Sequence, residues 1–493
     1  MNKKVFTYQN IIYFFLFINI ILFLYGYFLG LKKPFWIDEL HAIGFSKKIP
    51  NFRIDQIFSE SIHSPFYFLL LTIFQKFLNF FNLSETEDLF YLRLINVIGF
   101  IPILWGFIIL KKNIKEINLG ILFLLLISSH FFFHYSLDLK MYFLLLSFSF
   151  LVNVINLTNT VEKEHKYLFL FSSIILSLLH VFGLTIVMSI LLVRFIMNLS
   201  DRKYYNCKID FLFSLLLLVL FIVTFYLATA DDNNLKSIGW IKIQLWYFKV
   251  FIRWTLNTII FILLISILLI YLYRQNILNL KNVISFFKSS IFKKLLLISL
   301  PSIVLFLITL VISLKIPVLN YRNLIVVFPA GVLISCILGS YFFKLNKFKY
   351  LLIVFFISLS FINFNSYFKD MVKSGENIEW VIRNTFTEEC ENAIIYLNDR
   401  NKVFWEKMVS PAVDIYADYY RPIIRLTSFN KEEFIKNKNK FNKCKTFISS
   451  FHYRNIEEEL SKINSLGFRF KTIYAPNVLY KKTSTAGVIT IIE

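Results

Sequence analysis

The sequence predicts a mainly α-helical, polytopic membrane protein that ends in a small α/β domain, and three observations predict it. Of 493 residues, 57% are hydrophobic and only 17% charged, too little charge to cover the surface of a water-soluble fold. Apolar runs of about 20 residues, the length that spans a bilayer as a helix, recur from Ile11 onward. After residue 372 the pattern changes to short β-branched runs alternating with polar helical stretches, which reads as an α/β unit.

The first element is the apolar stretch from Ile11 to Leu31. Preceded by Lys3 and Lys4 it resembles a secretory signal, yet it is long, lacks a small-x-small cleavage site and is followed by more spans. It is expected to be an uncleaved helix with its N-terminus in the cytoplasm. Further spans are expected near 93–110, 118–133, 142–158, 167–182, 184–199, 209–229, 254–272, 295–313, 323–341 and 349–366, eleven in all.

The segment from Pro65 to Phe81 is decided by charge. Counted as a span, it would put Lys111-Lys112-Asn113-Ile114-Lys115, Arg202-Lys203, the basic loop 274–294 and Lys344 to Lys349 outside. Left out of the count, it puts all of them inside, as the positive-inside bias demands. Its polar residues Thr72, Gln75, Lys76, Asn79 and Asn82 fall on one helical face, so a helix lying flat on the outer surface is expected. The formal charge of +22, from 53 Lys and Arg against 31 Asp and Glu, then reads as basic cytoplasmic loops and not as a nucleic-acid surface.

This topology gives residues 1–370 to a transmembrane domain whose first external loop is 32–92, and 371–493 to an extracytoplasmic α/β domain of about 120 residues, an ordinary domain size. Strands are expected at Ala393–Leu397, Ile423–Leu426, Thr446–Ser449 and Phe470–Tyr474. A further external loop, 230–253, carries Asp231-Asp232 as exposed charge and leads into an aromatic stretch with Trp240, Trp246 and Trp254. The four cysteines contain no C-x-x-C pair, which excludes a disulfide scaffold or zinc ribbon. Cys390 and Cys444 are open to pairing or to burial as thiols; Cys207 and Cys336 are expected to be inert.

Charged residues near membrane level are costly and tend to mark function. Trp36-Ile37-Asp38-Glu39-Leu40-His41 follows the first span, and His63-Ser64-Pro65 begins the interfacial helix. Ser136-Leu137-Asp138-Leu139-Lys140-Met141-Tyr142 forms the turn between two spans, His180 ends a span, and Asn320-Tyr321-Arg322 opens another. All five groups fall on the external side of a topology derived without them. Asp38, Glu39 and Asp138 offer a general base and potential metal ligands, while Lys140 and Arg322 offer charge compensation for a phosphate. A base plus cations at the membrane surface suits displacement of a lipid-linked phosphate by a hydroxyl. Blander readings stand beside this one: a structural Asp138–Lys140 ion pair, a snorkelling Arg322, a solvated His63 and a His180 used in packing.

Phe35 to Phe68 and the 136–142 turn resemble GT-C membrane glycosyltransferases, in particular the bacterial family that includes protein O-mannosyltransferases and lipid A aminoarabinose transferase. That family has an aromatic-x-Asp-Glu pair, a His-Pro-Pro-Leu-Tyr-Tyr helix start, a Glu-x-Arg-x-Tyr turn and a late Arg-Tyr before a span containing Pro. The corresponding residues are Trp36-Ile37-Asp38-Glu39, His63-Ser64-Pro65-Phe66-Tyr67, Asp138-Leu139-Lys140-Met141-Tyr142, and Tyr321-Arg322-Asn323 with Pro329. Arg93 matches an Arg that opens the family's second span. The resemblance covers roughly residues 1–370 in order and spacing. Asp138 and Lys140 stand where the family has Glu and Arg, and Lys lacks the bidentate grip of Arg.

The resemblance implies transfer of a monosaccharide from a polyprenyl-phosphate donor to a lipid, surface-glycan or protein acceptor at the outer face of a bacterial cytoplasmic membrane, with inversion at the anomeric carbon. It implies Asp38 as base with Glu39 beside it, Lys140 and Arg322 on the lipid phosphate, and His41, His63, Asp138, Tyr142, His180 and Tyr321 lining the site. A divalent ion is permitted, with Glu39, His63 and Asp138 as candidate ligands, and is not required. The competing classes are an oligosaccharide ligase or polymerase acting on a polyprenyl-diphosphate glycan, and a lipid or sugar transporter. A transporter predicts related halves with broken helices, and the sequence contains no repeated halves.

Overall fold

The computed structural model describes residues 8–33, 35, 37–47, 65–81, 86–114, 117–158, 165–229, 290–313, 320 and 322–343. Toward the C-terminus it describes 379–380, 394–396, 424–426, 446–449, 464–465, 470–474 and 487–491. The chain divides into two compact units: residues 1–24, 52–70 and 94–367 form the first, and 25–51, 71–93 and 368–493 the second.

Helices dominate. α1 (Tyr8–Leu31) carries no charged residue, and Phe14, Phe17, Ile21 and Phe28 are exposed on it, an apolar outer surface that suits lipid. α2 (Ile37–Lys47) and α3 (Pro65–Phe80) follow, then a 3-10 helix, Thr86–Gly99, that leads into α4 (Phe100–Asn113). Among the described residues four helices are long and apolar enough to cross a membrane: Ile12–Leu31, Tyr91–Asn113, Val181–Ser200 and Phe292–Ser313. The chain is thus a mostly helical protein with several long apolar helices. The expected spans 254–272 and 349–366 lie outside the described residues.

The expected span 118–133 is broken. α5 (Leu119–Ile127) and α6 (His130–Ser136) meet at a 63° bend. No Pro or Gly causes it. Ser129 leaves helical geometry and its Oγ accepts from the Phe132 amide, so it acts as the N-cap of a second helix. The chain then turns through Leu137–Met141 into α7 (Tyr142–Thr158), and continues with α8 (Lys166–Leu179), α9 (Val181–Ser200), α10 (Tyr204–Thr229), α11 (Ser290–Ser313), a short 3-10 helix Asn323–Val327, and α12 (Phe328–Phe343).

Ring and hydrogen-bond contacts fix the register of the first unit. Phe100 meets Phe143 at 5.0 Å and Phe107 meets Phe150 at 5.8 Å, so α4 and α7 run parallel. A Cβ on Gly99 or Gly106 would strike the Phe143 or Phe150 ring at 2.6 Å, which is why the two helices come this close. Phe131 of α6 meets Phe328 at 5.4 Å, while the Cys336 thiol donates to the Asn118 carbonyl at 3.5 Å, so α12 runs antiparallel to α5 and α6. Asn156 near the end of α7 donates to the Leu297 carbonyl near the start of α11, and Ser149 donates to the Val326 carbonyl. Such polar contacts between helices add specificity where apolar burial cannot discriminate.

One consequence is a sorting of charge by end. The turn 137–141, Tyr142, His180 and Arg322 lie at one end of this bundle. Lys111 and Lys112 in the last turn of α4, Arg202 and Lys203 after α9, and Lys293 and Lys294 at the start of α11 lie at the other. The loop-charge reading of the sequence requires this separation.

α3 exposes Ile73, Phe77, Phe80 and Phe81, whereas Thr72 is buried and donates weakly to the Ser46 carbonyl, and Gln75 accepts from Ser46 Oγ. Part of its polar face is therefore used by α2. At 16 residues it is about 24 Å long, short of the roughly 30 Å hydrocarbon layer.

In the second unit, β1 (Ile394–Tyr396), β2 (Ile424–Leu426), β3 (Thr446–Ser449), β4 (Phe470–Tyr474) and β5 (Gly487–Ile491) form one sheet in the order β2-β1-β3-β5-β4. β1 is parallel to β2 and β3, and β5 is antiparallel to β3 and β4. The first four strands coincide with the expected β-branched runs; β5 was not foreseen.

Candidate active site

Asp38 and Glu39 occupy the first turn of α2, where the partial positive charge of a helix N-terminus favours carboxylates. Their environments differ sharply. Glu39 is fully buried, and both its oxygens are held by the equally buried Arg93, at 3.0 Å from Nε and 2.8 Å from Nη2. The other arm of the same guanidinium donates to the carbonyls of Leu31 at 2.7 Å and Lys33 at 2.6 Å, which lie at the C-terminal end of α1 where helical carbonyls lack partners. The guanidinium also stacks over the Phe35 ring at 4.1 Å. Arg93 thus fastens the end of α1, Phe35 and the first turn of α2 together. Asp38, one residue before Glu39, is only half-buried, and His41 is buried one turn further on.

With both oxygens on Arg93, Glu39 is engaged in a buried ion pair. Among the described residues no group of three or more His, Cys, Asp or Glu is placed to hold a metal ion. His63, Trp36 and Tyr321 lie outside the described residues.

In the first unit, Asp138 and Lys140 are 1% and 5% exposed. Their turn is tight: the Leu137 amide donates to the His134 carbonyl, the Asp138 amide to Tyr135 and the Lys140 amide to Asp138 at 2.7 Å. The Lys140 side chain is the unusual group. Its ammonium makes no hydrogen bond or ion pair among the described residues, and none with Asp138. An ammonium at the end of such an apolar stem is stabilised when an anion comes to it.

Tyr142 and His180, two site candidates far apart in sequence, come together with ring centroids 6.4 Å apart. His180 sits at the junction of α8 and α9, where its Nδ1 accepts from the Phe182 amide. Gly183 makes the junction possible, since a Cβ there would run into the Leu176 carbonyl. Arg322 is half-buried just before the 3-10 helix, its amide bonded to Asn320 Oδ1. Within this unit Asp138, Lys140, Tyr142, His180 and Arg322 share one end of the bundle.

Sequence reasoning missed several members of these clusters. For Arg93 the sequence offers only its match to an Arg that opens the second span of the family it resembles, with no partner. His130 and His134 stack at 5.4 Å and continue through Tyr135 to Tyr142 as a row of rings; their spacing of four on α6 was the available signal. Arg194, on α9, pairs with Asp210 of α10 at 3.2 Å, and Asn198 donates to the same carboxylate at 2.9 Å, but toward the basic end of α9 and outside these clusters. No protein-family model matches the chain, and no curated protein matches it.

Proposed function

We propose that this chain is a GT-C-type membrane glycosyltransferase that moves a monosaccharide from a polyprenyl-phosphate donor to an acceptor hydroxyl at the outer face of a bacterial cytoplasmic membrane. The observation that carries the proposal is Lys140: a side chain only 5% exposed whose ammonium has no partner among the described residues, at the bundle end opposite the basic loops, is placed to receive an anion carried by a membrane-embedded substrate. The lipid-linked phosphate is such an anion.

In this reading the Asp38 carboxylate takes the proton from the acceptor hydroxyl as its oxygen attacks the anomeric carbon. The bond from that carbon to the phosphate oxygen breaks, and the leaving group departs as a polyprenyl phosphate. Lys140 and Arg322 stabilise the charge that develops on it, so they act on the transition state as well as on binding. Glu39, saturated by Arg93, holds the turn that presents Asp38 and acts as a positioning residue. Tyr142 and His180 offer a polar aromatic wall beside the Lys140 turn, and the resemblance also implies His41, His63, Asp138 and Tyr321 as site residues. The reading includes eleven spans, a cytoplasmic N-terminus, α3 lying in the outer interface and an extracytoplasmic C-terminal α/β domain that contributes to acceptor choice.

The test is sugar transfer by the full chain in proteoliposomes supplied with polyprenyl-phosphate sugars and candidate acceptors, with products read by mass spectrometry. Wild type is expected to release polyprenyl phosphate and glycosylate one acceptor class. Asp38→Asn is expected to lose on the order of 10²-fold or more in kcat, the usual worth of a general base, with unchanged thermal stability. Retained activity in Asp38→Asn removes Asp38 as base. Absence of transfer with every polyprenyl-phosphate sugar removes the donor assignment.

A further inference from the structure

The turn that carries Lys140 is gripped from below by a residue that no motif singles out. Asn96, at the end of the first 3-10 helix, is fully buried, and its side-chain nitrogen faces three carbonyl oxygens of one turn: Tyr135 at 3.3 Å, Ser136 at 3.1 Å and Asp138 at 2.8 Å. Three converging acceptors fix the amide's orientation, because the opposite flip would set oxygen against oxygen. The Asp138 carbonyl also accepts from the Lys140 amide at 2.7 Å, so a single shared oxygen connects the Asn96 amide to the Lys140 backbone. The cost of this arrangement is visible: Asn96 Oδ1 is buried without a hydrogen-bond partner. An unsatisfied acceptor in an apolar bundle is destabilising, and the three donated contacts are what offset it.

We infer that Asn96 is a positioning residue for phosphate recognition: by holding the carbonyls of residues 135, 136 and 138 it sets the backbone from which the Lys140 ammonium meets the anion. This deepens the glycosyltransferase reading and rests on it for the identity of the anion. The clamp itself rests only on geometry. A lysine with no partner among the described residues keeps its direction through its backbone and packing, so loosening the turn lets the ammonium move and the anion be held less well.

The experiment pairs hydrogen exchange with donor kinetics on the full chain in lipid nanodiscs, comparing wild type with Asn96→Ala and, as a milder change that keeps one donor, Asn96→Ser. The clamp predicts that amides of residues 137–141 exchange about tenfold faster in Asn96→Ala, with Asn96→Ser between it and wild type, while residues 147–157 of α7 are unchanged. Donor kcat/KM is expected to fall about tenfold, through both KM and kcat, because Lys140 acts on binding and on the transition state. In a Lys140→Ala background Asn96→Ala is expected to add less than about twofold, because the two act through one contact. Unchanged exchange in the turn overturns the proposal. So does a uniform rise across the helices, or a loss of kcat that multiplies with that of Lys140→Ala, since each marks a merely structural residue. If Asn96→Ala fails to insert, Asn96→Ser is judged by the same criteria. A wild-type protein that moves no sugar overturns the glycosyltransferase reading, and the exchange measurement then decides the clamp alone.

Discussion

Arg93 and Lys140 are both basic side chains with little exposed surface, 0% and 5%, and they are treated in opposite ways. Arg93 finds a bidentate carboxylate, helix-end carbonyls and an aromatic face inside its own unit. Lys140 finds nothing among the described residues. A buried charge that the protein satisfies completely is a fastening; one without such a partner is what the proposed function gives to an arriving anion. The same division runs through the adjacent carboxylates, Glu39 saturated and Asp38 half-exposed.

The largest effect should come from breaking the saturated pair. Arg93→Ala strands the Glu39 carboxylate and uncaps α1, and is expected to cost about 3–5 kcal/mol, the range for removing one partner of a buried ion pair. Thermal unfolding in detergent should register this as a severe loss of stability or of membrane-inserted yield. The double change Glu39→Gln with Arg93→Met should recover part of it, since no bare charge then remains. If Arg93→Ala unfolds like wild type, the pair is not the fastening described.

Lys140→Met should behave inversely. Replacing an ammonium that has no partner among the described residues with an apolar side chain of similar length is expected to leave unfolding unchanged or raise stability by about 1 kcal/mol, while use of a lipid-phosphate donor falls by about tenfold or more. A large loss of stability would mean that Lys140 is satisfied after all, and the contrast with Arg93 would collapse.

How much of this was legible in the sequence follows from what each feature depends on. The apolar segments and four of the five strands could be read because they depend on local composition, period and length. Asp38-Glu39 and the Lys140 turn could be flagged because charge in an apolar chain is conspicuous. Which of two neighbouring carboxylates is taken up by an arginine could not be read, because it depends on Arg93, 54 residues away. Asn96 was illegible for a similar reason: one asparagine among apolar residues looks the same whether it clamps a turn or faces lipid. The α5–α6 break was hidden because Ser129 makes it by capping, with no Pro or Gly to announce it. β5 was missed because Gly487 and Thr490 dilute its apolar pattern.

The smallest effect sharpens the comparison from its exposed limit. Lys203 and Asp201 pair at 3.8 Å with both side chains about half exposed, 46% and 49%, at the basic end of the bundle. Such a pair is worth roughly 0–1 kcal/mol and weakens with salt, so Lys203→Ala should shift the unfolding temperature barely, and less still at high ionic strength. Donor use should not change, because in the proposed topology Lys203 serves to retain its loop in the cytoplasm. A marked loss of donor use in Lys203→Ala would mean that the cations at this end also meet the anionic substrate. The separation of function between the two ends, on which the reading of Lys140 depends, would then fail.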